Sequence, residues 1–279
     1  MAKSVKYLIT GGTGFLGEAL VERLYDSADL RILARDEGNL LKLKQKFPKI
    51  EILTGDVSDA RSVRDACQGI AGIFHLAAFK HIIWAESQVR ECINTNVSGS
   101  SNILRYGSES NIDFILGIST DKAAQVNSVY GATKFLMERM FTFFEKKCPN
   151  IKYRIVRYGN VLYSTGSVLC LWKDALLNGK EIMITDPDAT RFFWTCKQAV
   201  DLIFECLDKA KDCTPYCPEM KSMSMGNILE AMQLKYGKAV KINQIGLQKG
   251  ENLHEKIQES GPYSNEVKQF SIEEIMGLI

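Results

Sequence analysis

A tyrosine and a lysine stand four residues apart, at Tyr130 and Lys134, shortly after a Ser-Thr-Asp-Lys run at Ser119–Lys122. Residues four apart share one face of a helix, and a nearby ammonium favours the phenolate and so lowers the pKa of a tyrosine. Such a pair can take the proton of a sugar hydroxyl while a nicotinamide takes the hydride. The acid at Asp121 and the amine at Lys122 indicate chemistry beyond the oxidation of an alcohol.

A glycine-rich turn over Thr10–Gly17 separates the first apolar run of the chain from its first amphipathic stretch. Its glycines permit a tight turn, a close backbone approach to a pyrophosphate, and close packing of a helix on a strand. The phosphate then meets the free N–H groups at the helix N-terminus. A purely structural glycine turn is the alternative, but the order strand, turn, helix and second strand favours a dinucleotide site. The residues expected to contact the cofactor there are Gly11, Thr13, Gly14, Phe15, Leu16 and Gly17.

The end of the second predicted strand bears on which dinucleotide binds. An acidic residue there would bind the ribose 2′-hydroxyl of NAD, whereas an arginine can receive the 2′-phosphate of NADP. Arg35 comes first in this chain and favours NADP, while the adjacent Asp36 keeps NAD open. A solvated Arg35–Asp36 surface pair is the plain alternative. Asp56, after the third strand and next to Val57, could place a carboxylate beside the adenine amino group.

Short apolar runs alternate with amphipathic stretches in the first half of the chain, which predicts βαβ units and a parallel sheet. We therefore expect an α/β fold with two parts. Residues 1–162 form a Rossmann-like, doubly wound parallel sheet that binds NADP, and residues 163–279 form a smaller C-terminal substrate-binding region, with some helices packing back on the sheet. The predicted strands are Val5–Thr10, Leu30–Ala34, Ile50–Leu53, Gly72–Leu76, Phe114–Ile118 and Tyr153–Arg157. The predicted helices are Ala85–Tyr106, Tyr130–Lys146, and stretches near Lys197–Lys211 and Met225–Tyr236.

Composition limits the classes of protein that remain. A net charge of +2 over 279 residues offers no large basic field, so neither nucleic acid nor a membrane surface is expected as a partner. The sequence contains no run of about 18 apolar residues, so a transmembrane helix is not expected. The first residues lack the apolar segment of a signal peptide. A cytoplasmic protein with reduced cysteines is expected. No metal site is expected, since the close pair Cys213 and Cys217 has no further cysteine or histidine cluster beside it.

The combined motifs resemble the extended short-chain dehydrogenase/reductases, and within them the inverting UDP-N-acetylglucosamine 4,6-dehydratases of bacterial polysaccharide and flagellin-glycan pathways. The resemblance covers nearly the whole chain. Ser119–Lys122 is its most specific part, because the related dTDP-glucose dehydratases are expected to carry Thr-Asp-Glu there and the sugar epimerases lack the Asp-Lys pair. The matching segments are Thr10–Gly17, Ala34–Glu37, Gly55–Val57, His75–His81, Asn94–Asn96, Ser119–Ala123, Val129–Lys134, Val156–Val161 and Thr190–Phe192.

The resemblance implies a mechanism for the central residues. Tyr130, assisted by Lys134, removes the proton of the sugar 4-hydroxyl while C4 delivers its hydride to NADP⁺, and Thr120 hydrogen-bonds the same oxygen. The new 4-ketone acidifies the C5 hydrogen, which Lys122 abstracts as the general base. Asp121 protonates the departing C6 hydroxyl, the hydride returns to C6, and reprotonation at C5 from the opposite face inverts that centre. The cofactor is then tightly bound and recycled.

The same resemblance implies further binding residues and partners. A UDP-sugar substrate is expected, and a homo-oligomer is expected through the wide apolar face of the helix that bears Tyr130. For Arg191, an ordinary surface arginine is the alternative to a diphosphate contact. The cofactor contacts implied besides the glycine turn are Arg35, Asp36, Asp56, Val57, Ala77, Ala78, Lys80, Asn96, Ser119, Tyr130 and Lys134. The substrate contacts implied are Lys80, His81, Thr120, Asn160, Arg191, Glu251 and His254.

Two features of the sequence conflict with this mechanism. Lys122 must be neutral to act as a base and Asp121 protonated to act as an acid, whereas a direct pair would favour both charged forms. We therefore expect the site to separate the two side chains and to desolvate Lys122. The run expected in the family as Arg-Pro-Gly-Glu-Lys-Leu-His-Glu reads Gln-Lys-Gly-Glu-Asn-Leu-His-Glu at Gln248–Glu255. An arginine is lost there, and Lys249 is the candidate to replace its charge.

Two other functions stay open at this point. A nucleotide-sugar 4-epimerase needs the Tyr130–Lys134 pair but no elimination residues, and Asp121 and Lys122 argue against it. A noncatalytic NADP-sensing or scaffold protein is the alternative from a different class, because a fold alone does not establish catalysis. Such proteins can lose the Tyr–Lys pair, which this chain keeps.

Overall fold

A six-stranded parallel sheet organises the first half of the chain in the computed structural model, which describes residues 5–237 and 240–279. The strands lie in the order third, second, first, fourth, fifth, sixth, so the order reverses between the first and the fourth. That reversal is where doubly wound sheets bind dinucleotides. The predicted strands and the α/β class are confirmed, with small shifts at the strand ends. The strands are β1 (Lys6–Thr10), β2 (Asp29–Ala34), β3 (Glu51–Thr54), β4 (Gly72–His75), β5 (Phe114–Thr120) and β6 (Lys152–Tyr158).

Side chains alternate between the two faces of these strands, and each face carries its own core. Leu8 packs in the cluster that contains Phe141, whereas the next residue, Ile9, packs in the cluster that contains Leu20 and Ile203. Both strand residues are fully buried. The sheet is therefore covered on both faces, as expected when helices return the chain between parallel strands. The helices of this half are α1 (Phe15–Leu24), α2 (Glu37–Lys46), α3 (Ala60–Ala66), α4 (Ile82–Ser87), α5 (Val89–Ile93), α6 (Gly99–Ser108) and α7 (Val129–Lys147).

The prediction of one continuous helix over Ala85–Tyr106 is wrong. The backbone leaves the helical conformation at Gln88, between α4 and α5. It then forms a π-helical turn over Asn94–Ser98 before α6 begins. The π turn places the Asn96 amide against the backbone of Phe79, whose N–H it accepts at 2.8 Å and whose carbonyl it donates to at 2.9 Å. Inserted turns of this kind are common at functional sites.

The second half of the chain forms smaller sheets around a third hydrophobic cluster, with residues such as Trp172 and Met232 at its centre. One helix of this half, α9 (Cys196–Lys209), packs against α1 and lies in the same cluster as Ile9. A Thr195–Gln198 capping box begins that helix. No helix in the described ranges has both the length and the apolar character needed to cross a membrane. The remaining elements are β7 (Asn160–Val161), α8 (Val168–Asn178), β8 (Ile182–Ile184), β9 (Thr190–Trp194), β10 (Ser222–Ser224), α10 (Met225–Tyr236), β11 (Ile242–Gln244) and α11 (Ile272–Leu278).

A neutral histidine links the glycine turn to the sheet. His75 is 1% exposed at the end of β4, with Nδ1 2.8 Å from the Thr10 hydroxyl and Nε2 3.0 Å from the Ser100 hydroxyl. Burial, helped by the charge of Lys134, lowers its pKa to about 3. An unfolded histidine titrates near about 6.5. The unfolded chain therefore binds more protons at this position in the window between these values, and stability there must rise with pH.

We expect the His75→Asn variant to lose less stability on mild acidification than the unsubstituted protein. The contribution of neutral His75 is full above its unfolded pKa and is lost as the pH falls toward the folded value. Between about pH 7 and about pH 5 this linkage amounts to about 2 kcal/mol. Urea unfolding of both proteins at the two pH values measures the difference. The same pH dependence in both proteins would show that His75 is not held neutral.

Candidate active site

The glycine turn packs tightly against the first helix, as the sequence predicts. The Gly11 N–H donates to the Leu33 carbonyl at 3.1 Å, and Gly14 stands at the N-cap of α1 without a side-chain cap. No capping side chain accepts a hydrogen bond from the first N–H groups of α1, so these groups can bind an anion. A Cβ atom on Gly17 would lie 2.2 Å from the Gly11 carbonyl oxygen.

We expect Gly17→Ala to destabilise the protein and to weaken retention of a dinucleotide. Its Cβ would contact backbone atoms of Gly11 and Gly12, which cannot rotate away. Overpacking of this kind costs about 1–3 kcal/mol. Gly277→Ala is the control for folding, because no atom lies within 4 Å of the Cβ that it would add on α11. Urea unfolding and the ultraviolet spectrum of the purified proteins give the two readouts; equal stability of both variants would contradict the close packing.

Arg35 and Asp56 lie together at the edge of this turn, while Asp36 is used elsewhere. The Arg35 side chain is 65% exposed, and its Nη1 lies 3.7 Å from Asp56 Oδ2. Asp36 caps α2 by accepting the Asn39 N–H at 2.9 Å. The alternative of an Arg35–Asp36 surface pair is therefore wrong. The exposed guanidinium therefore pairs with Asp56 next to the turn, whereas the Asp36 carboxylate caps the helix.

The loop after β4 passes over the site. The Ala77 N–H donates to the Thr10 hydroxyl at 3.2 Å, and Ala78 follows. Lys80 and His81 are exposed: the Lys80 ammonium lies 3.4 Å from the Thr165 carbonyl oxygen, and the His81 ring packs against Trp84. The loop thus brings the first half of the chain near the turn that follows β7.

Asn96 hydrogen-bonds both this loop and α7. Its amide nitrogen donates to the Thr133 hydroxyl at 2.9 Å as well as to the Phe79 carbonyl, and Asn96 itself is 1% exposed. Thr133 lies between the two predicted catalytic residues on α7. These hydrogen bonds connect α7 to the loop after β4, so Asn96 holds the two segments in position relative to each other.

The 3₁₀ turn Asp121–Ala123 packs directly on the first turn of α7. Ser128 caps the helix by accepting the Gly131 N–H at 3.1 Å, and a Cβ on Gly131 would lie 2.4 Å from the Lys122 carbonyl oxygen. Tyr130 therefore lies next to the end of β5, close to Thr120, whose hydroxyl donates to Asp121 Oδ1 at 2.8 Å. The two predicted motifs, distinct in sequence, form one site.

The expected lowering of the tyrosine pKa is wrong. Burial raises the pKa of Tyr130, and the nearby Asp121 carboxylate adds to that effect. Lys134 instead donates to the Ile118 carbonyl at 2.7 Å, so its ammonium is directed to the backbone of β5. Burial lowers the pKa of Lys134 to about 8, although the charge of Glu138 acts in the other direction.

A second correction concerns the acid and the amine that follow Thr120. The expected separation of Asp121 and Lys122 is wrong: the Lys122 ammonium lies 3.0 Å from both carboxylate oxygens of Asp121. It also lies 3.1 Å from Glu255 Oε1. Burial acts to lower the pKa of Lys122, but the two carboxylates outweigh it and the pKa is raised. Both residues lie in the short 3₁₀ turn Asp121–Ala123, and the long, flexible lysine side chain reaches the carboxylate of its neighbour there.

Arg191 completes this cluster and is not a surface arginine. It is 8% exposed on β9, its Nη1 donates to the carbonyls of Thr190 and Leu253, each at 2.9 Å, and its Nε lies 3.9 Å from Glu255 Oε1. The alternative of an exposed Arg191 is therefore wrong. Two carboxylates and two cations stand together between the end of β5, β9 and the segment that contains Glu255.

The other predicted substrate residues are spread around this cluster. His254 Nδ1 lies 2.9 Å from the Thr190 hydroxyl, whereas Glu251 accepts the Gln248 N–H at 3.0 Å within its own turn. Asn160 is half-buried on β7, next to β9. Lys249 lies 3.1 Å from Glu86 Oε2 with its side chain 84% exposed. Its charge is thus directed to α4, away from the buried cluster.

Glu255, Glu138 and Arg157 contribute to the site and were not singled out from the sequence. Glu255 is the last residue of the Gln248–Glu255 run, and its place in that run is the only feature of the sequence that could have indicated its role. Arg157 is 1% exposed on β6 and binds both carboxylate oxygens of Glu138, which also accepts the Ser119 hydroxyl. The Ser119 hydroxyl is therefore held by the Glu138 carboxylate.

Comparison with protein families gives one match over almost the whole chain. The family described as "Polysaccharide biosynthesis protein" matches residues 7–276. Among curated proteins, a UDP-glucose 4-epimerase of Rickettsia akari is 31% identical over 260 residues, which cover 90% of this chain and 76% of that protein.

Solved structures share the fold over its full length. The structure of Pen from Bacillus thuringiensis is 27% identical, superposes with a TM-score of 0.93, and covers 99% of this chain and 97% of its own. A dTDP-glucose 4,6-dehydratase, DesIV from Streptomyces venezuelae with NAD and TYD bound, is 18% identical with a TM-score of 0.81 and covers 98% of this chain and 95% of its own. The second likeness concerns the fold alone.

Proposed function

The chain belongs to the polysaccharide biosynthesis protein family of extended short-chain dehydrogenase/reductases, and on that premise we propose that it is a nucleotide-sugar 4,6-dehydratase. The proposed reaction converts UDP-N-acetylglucosamine to a 4-keto-6-deoxy sugar with inversion at C5. The observation that supports it most is the buried Asp121–Lys122 pair beside Thr120 and Tyr130. An acid and an amine at this position serve an elimination, whereas oxidation at C4 alone has no use for them.

The dinucleotide would lie in the cradle formed by the glycine turn, the loop after β4 and the end of β5. This cradle fits a pyrophosphate, because the close glycine contacts bring backbone near it and the N-terminus of α1 lacks a side-chain cap. When bound, the nicotinamide supplies a hydride acceptor for C4 and a hydride donor for C6. The exposed charge of Arg35 favours NADP, whose 2′-phosphate it could bind. NAD is the alternative, because Asp56 already pairs with Arg35 and balances part of that charge.

The first step needs a base for the sugar 4-hydroxyl, and Tyr130 takes that role. It lies close to Thr120 at the carboxyl end of β5. Lys134 is anchored through the Ile118 carbonyl one helical turn later, with its pKa lowered to about 8 by burial. A lysine with a pKa of about 8 can take up and release a proton near neutral pH, as a relay of the tyrosine proton requires.

The elimination step needs a base for the C5 proton and an acid for the C6 oxygen. Lys122 and Asp121 can exchange one proton across the 3.0 Å contact between them, which gives a neutral amine and a carboxylic acid. Lys122 then takes the C5 proton, the C–H electron pair forms the C5–C6 double bond, and Asp121 protonates the oxygen that leaves C6. The products are the 4-keto sugar with a C5–C6 double bond, one water, and the original charged pair of Lys122 and Asp121.

The substrate would enter from the side of the second half of the chain, for which we propose residues 163–279 as the substrate-binding region. Lys80, His81, Asn160, Glu251 and His254 are the candidate contacts for the sugar and its diphosphate. Arg191 is the candidate nearest to the catalytic cluster, through Glu255. We also propose a homo-oligomer. The argument is the exposed apolar surface of α4 and α7, on which Ile83, Trp84, Leu136 and Phe143 are 61%, 60%, 49% and 59% exposed.

A nucleotide-sugar 4-epimerase is the second candidate, because the R. akari relative carries that name at 31% identity. That reaction uses Tyr130 and Lys134 but no elimination. The two reactions differ in product mass, since epimerisation conserves it and dehydration removes one water.

The test is to incubate the purified protein with UDP-N-acetylglucosamine in deuterated water without added cofactor. We expect a product that has lost one water, carries deuterium at C5, and shows the inverted C5 configuration by proton NMR. A product of unchanged mass with the C4 configuration changed would establish the epimerase instead. An unchanged sugar would contradict both reactions.

A further inference from the structure

We propose that Glu255 is a positioning residue for Lys122, which holds the lysine beside Asp121 and stabilises the ammonium that forms when Lys122 takes a proton from C5. This role rests on the proposed dehydratase function. It adds to Asp121 and Lys122 a third residue, located far along the chain on the segment before α11.

Glu255 is held rigidly in place. It is fully buried, its N–H donates to the Ser264 hydroxyl at 2.9 Å, and its carbonyl accepts the Ser264 N–H at 2.8 Å. Its Oε2 accepts a hydrogen from the Asn252 amide at 3.1 Å. Side-chain and backbone contacts together fix the carboxylate before any substrate arrives.

The remaining oxygen of Glu255 faces the base. Oε1 is buried without a hydrogen bond of good geometry, and the groups nearest to it are the Lys122 ammonium at 3.1 Å and Arg191 Nε at 3.9 Å. A buried carboxylate oxygen without a hydrogen bond is unfavourable unless a charge compensates for it. Its interaction is therefore with the charge on Lys122, and that charge changes during the proposed reaction.

The charges around Lys122 explain why a fixed carboxylate is useful. Asp121, on the 3₁₀ turn, and Glu255 are acidic, while Lys122 and Arg191, on β9, are basic; Tyr130 on α7 and Cys217 are the further titratable groups that face Asp121. The transfer of one proton from Lys122 to Asp121 leaves the total charge unchanged. Abstraction of the C5 proton then restores the ammonium next to Glu255, so the attraction grows as the transition state forms.

The test is the pH profile of dehydration in Glu255→Gln. The working form, neutral Lys122 with protonated Asp121, lies between a form with one more proton and a form with one fewer, which gives a bell-shaped profile. Removal of the Glu255 charge disfavours every bound proton nearby. We expect the whole bell to move to lower pH by at least about one pH unit, and the maximal rate to fall roughly tenfold or more.

Controls separate this role from a structural one. Glu266→Gln, which changes a carboxylate that closes its own turn by accepting the Tyr263 N–H, should leave the profile unchanged. Glu255→Asp retracts the charge from Lys122 and should move the optimum in the same direction by less; it carries the test if Glu255→Gln does not fold. A rate loss in the Gln variant that is equal at all pH values, or an unmoved optimum, would overturn the role of Glu255. Absence of dehydration by the unsubstituted protein would instead reject the proposed function.

Discussion

Lys122→Gln is expected to stop the loss of water while oxidation at C4 continues. Glutamine can still donate hydrogen bonds to the carboxylates of Asp121 and Glu255, which lie 3.0 Å and 3.1 Å from the lysine ammonium. It cannot accept the C5 proton. The loss of a positioned base typically slows a proton transfer by about 10²–10⁴-fold, whereas Tyr130 and Thr120 keep their contact.

A single-turnover experiment with UDP-N-acetylglucosamine measures both steps of this prediction. The near-ultraviolet absorbance of reduced nicotinamide should appear and persist in Lys122→Gln, while the product of lower mass should be absent. Lys209→Gln is the matched control, because that lysine lies 61% exposed on α9 and pairs with Glu205. Full dehydration by Lys122→Gln would remove Lys122 from the mechanism.

Arg157→Met is expected to lower the free energy of unfolding by about 3–5 kcal/mol. The guanidinium is 1% exposed, and it meets Glu138 through two nitrogens at 3.0 Å and 2.7 Å and the Ile257 carbonyl at 2.9 Å. Its removal leaves the buried Glu138 carboxylate without the cation that hydrogen-bonds both of its oxygens. Because breaking a buried pair costs more than replacing it, the double variant with Glu138→Met should recover much of the loss.

Urea unfolding measures this effect, with Glu259→Gln as the control. Glu259 also contacts Arg157, at 3.1 Å, but its side chain is 57% exposed. An exposed pair contributes about 0–1 kcal/mol, so this control should change the free energy of unfolding little. A loss in Arg157→Met no larger than in Glu259→Gln would show that Glu138 is not dependent on Arg157.

Local patterns in the sequence predict most of the fold and the centre of the site. The alternation at Leu8 and Ile9 places each on its own face of the sheet, and the glycine turn marks the first strand–helix junction. Tyr130 and Lys134 lie on one helix, so their spacing alone predicts that they share a face. In each case the residues that interact are near one another in the chain.

Other features depend on contacts that no local pattern contains. The π turn at Asn94–Ser98 coincides with the pairing of the Asn96 amide with the backbone of Phe79, which is distant in sequence. The raised pKa of Lys122 requires Glu255, which is distant in sequence. The pairing of Asp121 with Lys122 depends on the conformation that the lysine side chain takes in the 3₁₀ turn, which the spacing of the two residues does not predict. The electrostatic state of the site could therefore be obtained only from the folded structure.

The central claim is that oxidation at C4, loss of water and return of the hydride occur on one sugar at this site. The most direct measurement uses UDP-N-acetylglucosamine that carries deuterium at C4, followed by mass spectrometry and NMR of the product. We predict a product that lacks one water and carries the deuterium on C6. Deuterium that remains at C4 in a product of unchanged sugar mass would contradict the claim.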